Sequence, residues 1–139
     1  MYNRELSIID TQEKAYLLGL FYADGNIGLN QTQCRIDLSL GDKELIFKLK
    51  ELFPFFYIHY DRGSKIELGN YCKDLKKDLI SNGCLPRKSF DNRNNLHIPN
   101  IEDSLIPHFI RGYFDGDGGC TLSTKKLKYK KEYISILHH

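Results

Sequence analysis

The stretches LLGLFYADG at residues 17–25 and IRGYFDGDG at residues 110–118 decide the fold of this chain. Each is a largely apolar run that carries a glycine at its third position and ends in Asp-Gly. The two copies align without gaps at an offset of 93 residues, since 117 − 24 = 93. Two copies of one helix-ending motif indicate an internal duplication.

The small residues of the two stretches predict how their helices pack. Residues four apart lie on one face of a helix, and each stretch has small residues at that spacing. They are Gly19 and Ala23 in the first stretch and Gly112 and Gly116 in the second. Small residues let two helix backbones approach closely. We therefore expect the two helices to lie side by side around a pseudo-twofold axis, with these four residues at the helix interface.

The same packing brings one acidic residue from each stretch, Asp24 and Asp117, to a shared end of the helix pair. A helix C-terminus already carries partial negative charge. Two adjacent carboxylates at such an end repel each other unless divalent cations lie between them. The sequence therefore predicts a divalent metal site at Asp24 and Asp117.

The second stretch alone also allows a calcium-binding loop. Asp115, Asp117 and Gly119 have the spacing of the first three ligand positions of such a loop. However, the position that needs glycine is Cys120, and the position that needs glutamate is Lys126. The calcium-loop interpretation therefore fails.

Hydrophobic periodicity and turn residues predict the elements around these stretches. The first helix begins at a capping box of Asp10 and Glu13 and ends at Gly25. Two strands follow at 25–33 and 34–40. Asp42 then begins a second helix, which Pro54 closes, and its apolar face consists of Leu45, Ile46, Leu49, Leu52 and Phe53.

Two further strands, at 57–61 and 65–69, form a hairpin around Arg62-Gly63-Ser64. The third and fourth helices complete the order: the third is capped by Asn70, runs from Lys73 to Ile80 and stops at Gly83, and the fourth begins near Asp103 or Ser104. The first seven elements read αββαββα. This order predicts an α+β fold in which helices cover one face of a four-stranded antiparallel sheet.

Alternation along the predicted strands assigns their side chains to the two faces of the sheet. The core-facing set is Ile36, Leu38, Leu40, Ile58, Tyr60, Ile66 and Leu68. The outward set is Arg35, Asp37, Ser39, Tyr57, His59, Lys65 and Glu67. A polar, mixed-charge and aromatic face suits the reading of nucleic-acid grooves. We therefore expect the outward set to contact bases or the phosphate backbone.

The bulk composition excludes several classes of protein. With 139 residues, 41% of them hydrophobic, the chain can bury the core of one compact domain. It has no apolar run long enough to cross a membrane, and its N-terminus does not resemble a signal peptide. We therefore expect an intracellular protein, in the cytoplasm or an organelle matrix, that is neither secreted nor bound to a membrane.

The cysteines and the charge distribution restrict the class of protein less than the composition does. None of Cys34, Cys72, Cys84 and Cys120 forms a C-x-x-C pair, which argues against a zinc ribbon and a disulfide framework. We expect reduced and mostly buried thiols. The net charge is only +2, but two basic stretches, within 73–93 and at 125–131, fit either a phosphate-backbone partner or an ordinary solvated surface.

The stretches LLGLFYADG and IRGYFDGDG resemble the two motifs of the LAGLIDADG homing endonuclease family. Each half of that family is built as αββαββα, the order that the periodicity of this chain predicts independently. The resemblance implies a site-specific endonuclease of intron or intein homing that hydrolyses phosphodiester bonds with a divalent metal, Mg²⁺ or Mn²⁺. The implied partner is double-stranded DNA.

The resemblance also implies roles for individual residues. The penultimate acidic residue of each family motif binds the catalytic metals, and it corresponds to Asp24 and Asp117. An earlier acidic position of the motif is mainly structural in the family, and here it is Asp115 in the second copy and Tyr22 in the first. The family's basic residue after the last helix of a half is best matched by Lys88. The implied catalytic set is therefore Asp24, Asp117 and Lys88.

The second half is incomplete in this sequence, because few residues follow Gly118. We expect residues 1–92 to form the first LAGLIDADG half. Residues 93–139 are then a linker, the second LAGLIDADG helix and the start of a second pseudo-symmetric half. We also expect this form to self-associate through the incomplete C-terminal half, and to cleave DNA weakly or not at all.

The sequence also allows two other functions on the same scaffold. One is a DNA-binding regulator that does not cleave, and the other is an RNA-splicing maturase. Regulators of this kind usually lose the motif acids, so the presence of both acids favours the nuclease.

Overall fold

The computed structural model describes residues 1–60, 65–84 and 99–116, and it has the predicted order of elements. Short 3₁₀ turns at Leu40–Asp42 and Asp103–Leu105 precede the second and fourth helices. The helices and strands are α1 Gln12–Asp24, β1 Gly25–Ile27, β2 Gln33–Ser39, α2 Lys43–Leu52, β3 Tyr57–Tyr60, β4 Lys65–Tyr71, α3 Lys73–Ser81 and α4 Ile106–Gly116. The α+β class and the αββαββα order are therefore confirmed.

The four strands form one antiparallel sheet in the order β1-β2-β4-β3. Its centre is the long pairing of β2 with β4, in which Arg35 lies opposite Gly69 and Asp37 lies opposite Glu67. The strands β1 and β3 are the edges of the sheet. The outward residues predicted on β2, β3 and β4 therefore lie side by side on one face.

The opposite face of the sheet carries the core. Cys34, Ile36 and Leu38 of β2 are buried, as are Ile66 and Leu68 of β4. Three helices, α1, α2 and α3, pack against these strands. Burial on one face and polarity on the other explain why alternation along the strands predicted the two faces well.

The first helix lies in the middle of the molecule and is buried over most of its circumference, since every residue of 17–22 is buried. Its N-cap is Thr11 instead of the predicted Asp10. The hydroxyl of Thr11 accepts a hydrogen bond from the backbone N–H of Lys14 at 3.2 Å. Asp10 instead forms an ion pair with the Lys14 ammonium at 2.8 Å, and this hydrogen bond lowers the pKa of Asp10.

Other predictions of local structure were wrong. The first strand, predicted at 25–33, ends at Ile27. Tyr60 is 56% exposed, because it is the last residue of an edge strand, and Leu52 is 44% exposed at the end of α2. Asn70 lies inside β4, where its amide donates a hydrogen bond to the carbonyl of Phe55 at 2.8 Å, and Cys72 is the N-cap of α3. The stop after α3 was correct, since Gly83 adopts a φ of 102°.

The N-terminal segment packs on α3 through one buried carboxylate. Asp78 is 2% exposed and accepts two hydrogen bonds from the guanidinium of Arg4, at 2.7 and 2.5 Å. The hydroxyl of Tyr2 donates a third at 2.5 Å and accepts one from the backbone N–H of Leu6 at 3.1 Å. These contacts attach the first residues of the chain to the third helix.

Within the described residues, every helix is too short or too polar to span a bilayer. The described cysteines are free thiols, of which Cys34 and Cys84 are buried and Cys72 is half-buried. Burial raises the pKa of the Cys34 thiol to about 12. The segments 61–64, 85–98 and 117–139 lie outside the described residues. The predicted hairpin turn, Lys88, Asp117 and the predicted self-association surface therefore fall outside them too.

Candidate nucleic-acid and metal site

The first and fourth helices touch backbone to backbone at two glycines. A Cβ atom added to Gly19 would lie 2.1 Å from the carbonyl oxygen of Phe109, and one added to Gly112 would lie 2.0 Å from the carbonyl oxygen of Tyr16. These distances are far shorter than any van der Waals contact, so only glycine fits at either position. The two contacts are reciprocal, because 112 − 19 and 109 − 16 both equal 93. The helix pair therefore has a local pseudo-twofold relation.

The two helices run in the same direction and end together. Gly112 lies against Tyr16 and Leu20, and Gly116 lies against Leu20 and Ala23. Residues nearer the C-terminus of α4 thus contact residues nearer the C-terminus of α1, so the two helices are parallel. Asp24 is the last residue of α1, it is exposed, and Gly116 is the last residue of α4. Asp117 is the next residue in the sequence and lies outside the described residues.

The earlier polar position of the motif is used differently in the two copies. In the second copy, Asp115 accepts a hydrogen bond from the hydroxyl of Tyr16 at 2.6 Å and so connects the two helices. In the first copy, the hydroxyl of Tyr22 donates to the carbonyl of Asn82 at 2.8 Å, which attaches α1 to the end of α3. Burial raises the pKa of both tyrosines, so they remain protonated donors at neutral pH.

The outward face of the sheet carries a connected group of polar side chains. The guanidinium Nη1 of Arg35 lies 3.5 Å from the amide oxygen of Gln33 and 3.9 Å from the carboxylate of Glu67. The amide nitrogen of Gln33 donates to the hydroxyl of Tyr57 at 2.9 Å, and this hydroxyl donates to Glu67 at 2.5 Å. Gln33, Arg35, Tyr57 and Glu67 thus form a closed circuit, which we call the polar ring.

The polar ring has a defined environment on each side. The Nε atom of Arg35 is buried and lies 3.2 Å from a carboxylate oxygen of Asp37, in ion-pair range but without hydrogen-bond geometry. The rings of Tyr57 and Tyr71 stack at a centroid distance of 5.7 Å and an angle of 17°. Burial, and then the bond to Glu67, raise the pKa of Tyr57, so its hydroxyl stays protonated.

The remaining predicted outward residues are peripheral to this ring. His59, Lys65 and Ser39 are exposed, and the hydroxyl of Ser39 donates to Asp42 at 2.9 Å. Asp42 occupies the N-cap position of α2 but makes no side-chain capping bond. The structure thus groups Arg35, Asp37, Tyr57 and Glu67.

Three residues of the face were missed from the sequence: Gln33, Gly69 and Tyr71. Gln33 precedes Arg35 and Asp37 in the same alternation on β2, and Gly69 and Tyr71 continue the alternation of Glu67 on β4. The sequence prediction ends β4 at Gly69 and assigns Asn70 as the cap of the third helix. In the structure β4 pairs with β2 beyond that glycine, as far as Tyr71. In the sequence, only the alternation of side chains with a period of two indicates this extension of the strand.

A loop beside this face is held by α3. The ammonium of Lys76 donates to the backbone carbonyls of Leu29 and Gln31, at 3.1 and 2.8 Å. The loop between β1 and β2 is closed by a bond from the N–H of Gly28 to the carbonyl of Gln33 at 3.0 Å. Its tip, residues 29–32, is exposed. The loop is therefore held in one conformation by its contacts with α3.

Comparison with known proteins supports the family resemblance. Residues 11–61, which contain α1, β1, β2, α2 and β3, match the family model described as the LAGLIDADG-like domain. The resemblance carried by the first motif is thereby confirmed over this part of the chain. This α+β chain is thus similar to the LAGLIDADG-like domain over residues 11–61.

A curated relative matches a much larger part of the chain. It is an uncharacterized protein of Methanocaldococcus jannaschii, 23% identical over 137 residues. The alignment covers 96% of this chain but 51% of that protein, so the chain spans about half the length of its relative.

Proposed function

We propose that this chain is part of a site-specific, metal-dependent endonuclease that cuts double-stranded DNA inside the cell. The observation that supports it best is the reciprocal glycine contact of α1 and α4. Two parallel helices in that contact end side by side, with Asp24 at one end and Asp117 directly after the other. Two helix ends that lie side by side support Asp24 and Asp117 as a pair of metal-binding carboxylates.

The chemistry of the donors fits a hard divalent cation. Among the described ranges, no three His, Cys, Asp or Glu side chains cluster closely enough to hold a metal. Mg²⁺ needs only one or two carboxylates, since it keeps several of its waters. Asp24 offers an exposed carboxylate beside the last carbonyl oxygens of a helix. We propose Asp24 and Asp117 as the ligands of Mg²⁺ or Mn²⁺.

The chain's own residues have separate tasks in this proposal. The outward face of the sheet binds the duplex and sets its register. Lys88 stabilises negative charge on the scissile phosphate. When bound, the divalent cation supplies Lewis-acid stabilisation of the charge that develops during phosphodiester hydrolysis.

The proposal is tested with Asp24→Asn and Asp117→Asn in the longest natural form of the protein, assayed with Mg²⁺ on a library of randomised duplexes. We expect each variant to lose at least about 100-fold in cleavage rate while it still binds duplex DNA, because only a charge-stabilising contact is removed. The matched control is Asp115→Asn, which changes an acid of the same motif but keeps an acceptor for Tyr16. It should retain cleavage.

Each other outcome has a definite meaning. Cleavage by Asp24→Asn at a rate close to wild type contradicts the metal-site assignment. Duplex binding without cleavage by the longest natural form, in Mg²⁺ and in Mn²⁺, indicates the non-cleaving DNA-binding alternative. Binding to structured RNA in place of duplex DNA indicates the maturase alternative.

A further inference from the structure

The polar ring lies on a face whose charges are already balanced. Arg35 has two carboxylates within ion-pair range, those of Asp37 and Glu67, and one of these is also held by Tyr57. Phosphate attraction needs uncompensated cations. A cation flanked by two carboxylates attracts phosphate only weakly. The ring is therefore poorly suited to binding the DNA backbone.

The same contacts fix the orientation of the arginine. Among the described contacts, the guanidinium makes one hydrogen bond, from Nη1 to Gln33, and its Nε faces Asp37. The second N–H of Nη1 and the N–H groups of Nη2 are left to donate to acceptors of a ligand. An arginine held in a plane is the usual partner of guanine, whose O6 and N7 accept two hydrogen bonds in the major groove. Because the side chain of Arg35 is already ordered, binding costs less conformational entropy. The ring therefore suits base readout.

Gly69 makes the ring possible. It lies opposite Arg35 on β2 and opposite Tyr57 on β3. A Cβ atom at this position would lie 2.8 Å from the hydroxyl of Tyr57 and 2.9 Å from the carbonyl oxygen of Cys34. Without a side chain at 69, the Tyr57 ring lies down on the strand and its hydroxyl reaches both Gln33 and Glu67.

We propose that the polar ring is a preorganised base-reading unit that selects guanine through Arg35, and that Glu67 is a positioning residue of it. The inference rests on the proposed function, because it needs duplex DNA on this face. It assigns Glu67 to holding Arg35 and Tyr57, and it adds Gln33 and Gly69 to the residues that determine specificity.

The test separates positioning from simple charge. Duplexes selected from a randomised library by the wild-type chain are compared with duplexes in which each guanine is replaced in turn. Glu67→Gln removes a negative charge, so we expect it to bind unselected DNA more tightly. If Glu67 positions Arg35, the same variant should lose about tenfold or more in discrimination at one guanine, the middle of the range for one bidentate base contact.

Two further variants complete the test. Glu51→Gln removes the same charge from the exposed end of α2, off the sheet face, and it should keep full discrimination. Tyr57→Phe changes no charge but removes the hydroxyl that joins Gln33 to Glu67. It should lose discrimination at the same guanine without the gain in affinity for unselected DNA that is expected of Glu67→Gln, and it gives an answer even if Glu67→Gln does not fold.

Unchanged discrimination in both Glu67→Gln and Tyr57→Phe would overturn the base-reading ring and leave the endonuclease proposal intact. An equal gain in affinity for every duplex would likewise show that Glu67 acts by charge alone. If the wild-type chain binds no duplex at all, both the ring and the proposed function are wrong.

Discussion

At Gly19 and Gly112 the helices α1 and α4 are in backbone contact. A side chain at either glycine would overlap the backbone of the other helix. Small residues at a spacing of four predicted this contact, because the α-helix places such positions on one face. The sequence could not reveal its closeness, which depends on how the whole helix pair sits in the core. The physical consequence is that even one methyl group has no space at these positions.

We predict that Gly112→Ala destabilises the chain by about 1–3 kcal/mol or more, because the new methyl group overlaps the carbonyl of Tyr16. The measurement is the free energy of unfolding in urea. The control is Gly41→Ala, where an added Cβ would meet only the hydroxyl of Ser39, at 3.7 Å. Equal stability of the two variants would contradict the observed helix contact.

A second prediction at this scale concerns the buried carboxylate of Asp78. We expect Tyr2→Phe to lower the free energy of unfolding by about 1–3 kcal/mol, because it removes a hydrogen bond to a buried charged group. A Phe at position 2 keeps the edge-to-face contact with Phe55, so a loss of stability reports the hydroxyl. No loss would mean that the bonds from Arg4 satisfy Asp78 alone.

The same carboxylate gives the stability a pH dependence. Burial raises the pKa of Asp78, but the hydrogen bonds from Arg4 and Tyr2 outweigh it and leave the pKa below its ordinary value. A lowered pKa in the folded state stabilises the fold above the unfolded-state pKa of about 3.9, and this contribution disappears as the pH falls through the folded-state value. We predict that wild type loses stability below about pH 4 more steeply than Asp78→Asn does. Parallel pH profiles of unfolding would contradict this.

At the scale of elements, hydrophobic periodicity predicted the order and most bounds, while the caps were harder to predict. Asp10, Asn70 and Asp42 are good capping residues by type. Yet Thr11 caps α1, Asn70 lies inside a strand, and Asp42 makes no capping bond. These polar side chains have tertiary or neighbouring partners instead. Local preference alone cannot rank such partners.

The loop between β1 and β2 illustrates an element held by a distant residue. We predict that Lys76→Met leaves the fold intact but speeds amide hydrogen exchange at residues 28–32, because two carbonyls of the loop lose their ammonium donor. Lys77→Met is the matched control, since Lys77 is exposed one position further along α3. Equal exchange in the two variants would show that the loop is held by its own turn.

At the scale of the whole molecule, the paired motifs predicted more than composition did. The offset of 93 residues between the motifs reappears in space as reciprocal contacts of Gly19 with Phe109 and of Gly112 with Tyr16. The polar ring could not be predicted as a unit. It needs the register of β2 with β4 and β3, which residue types along a single strand do not specify.

We propose that the two motif acids, Asp24 and Asp117, form one metal site. The most direct test is the affinity of the 139-residue chain for Mn²⁺, measured by electron paramagnetic resonance for wild type, Asp24→Asn, Asp117→Asn and the double variant. Carboxylates that share a site are not independent. We predict that each single variant loses most of the affinity and that the double variant loses little more. Additive losses, or an affinity that neither substitution changes, would contradict a shared site.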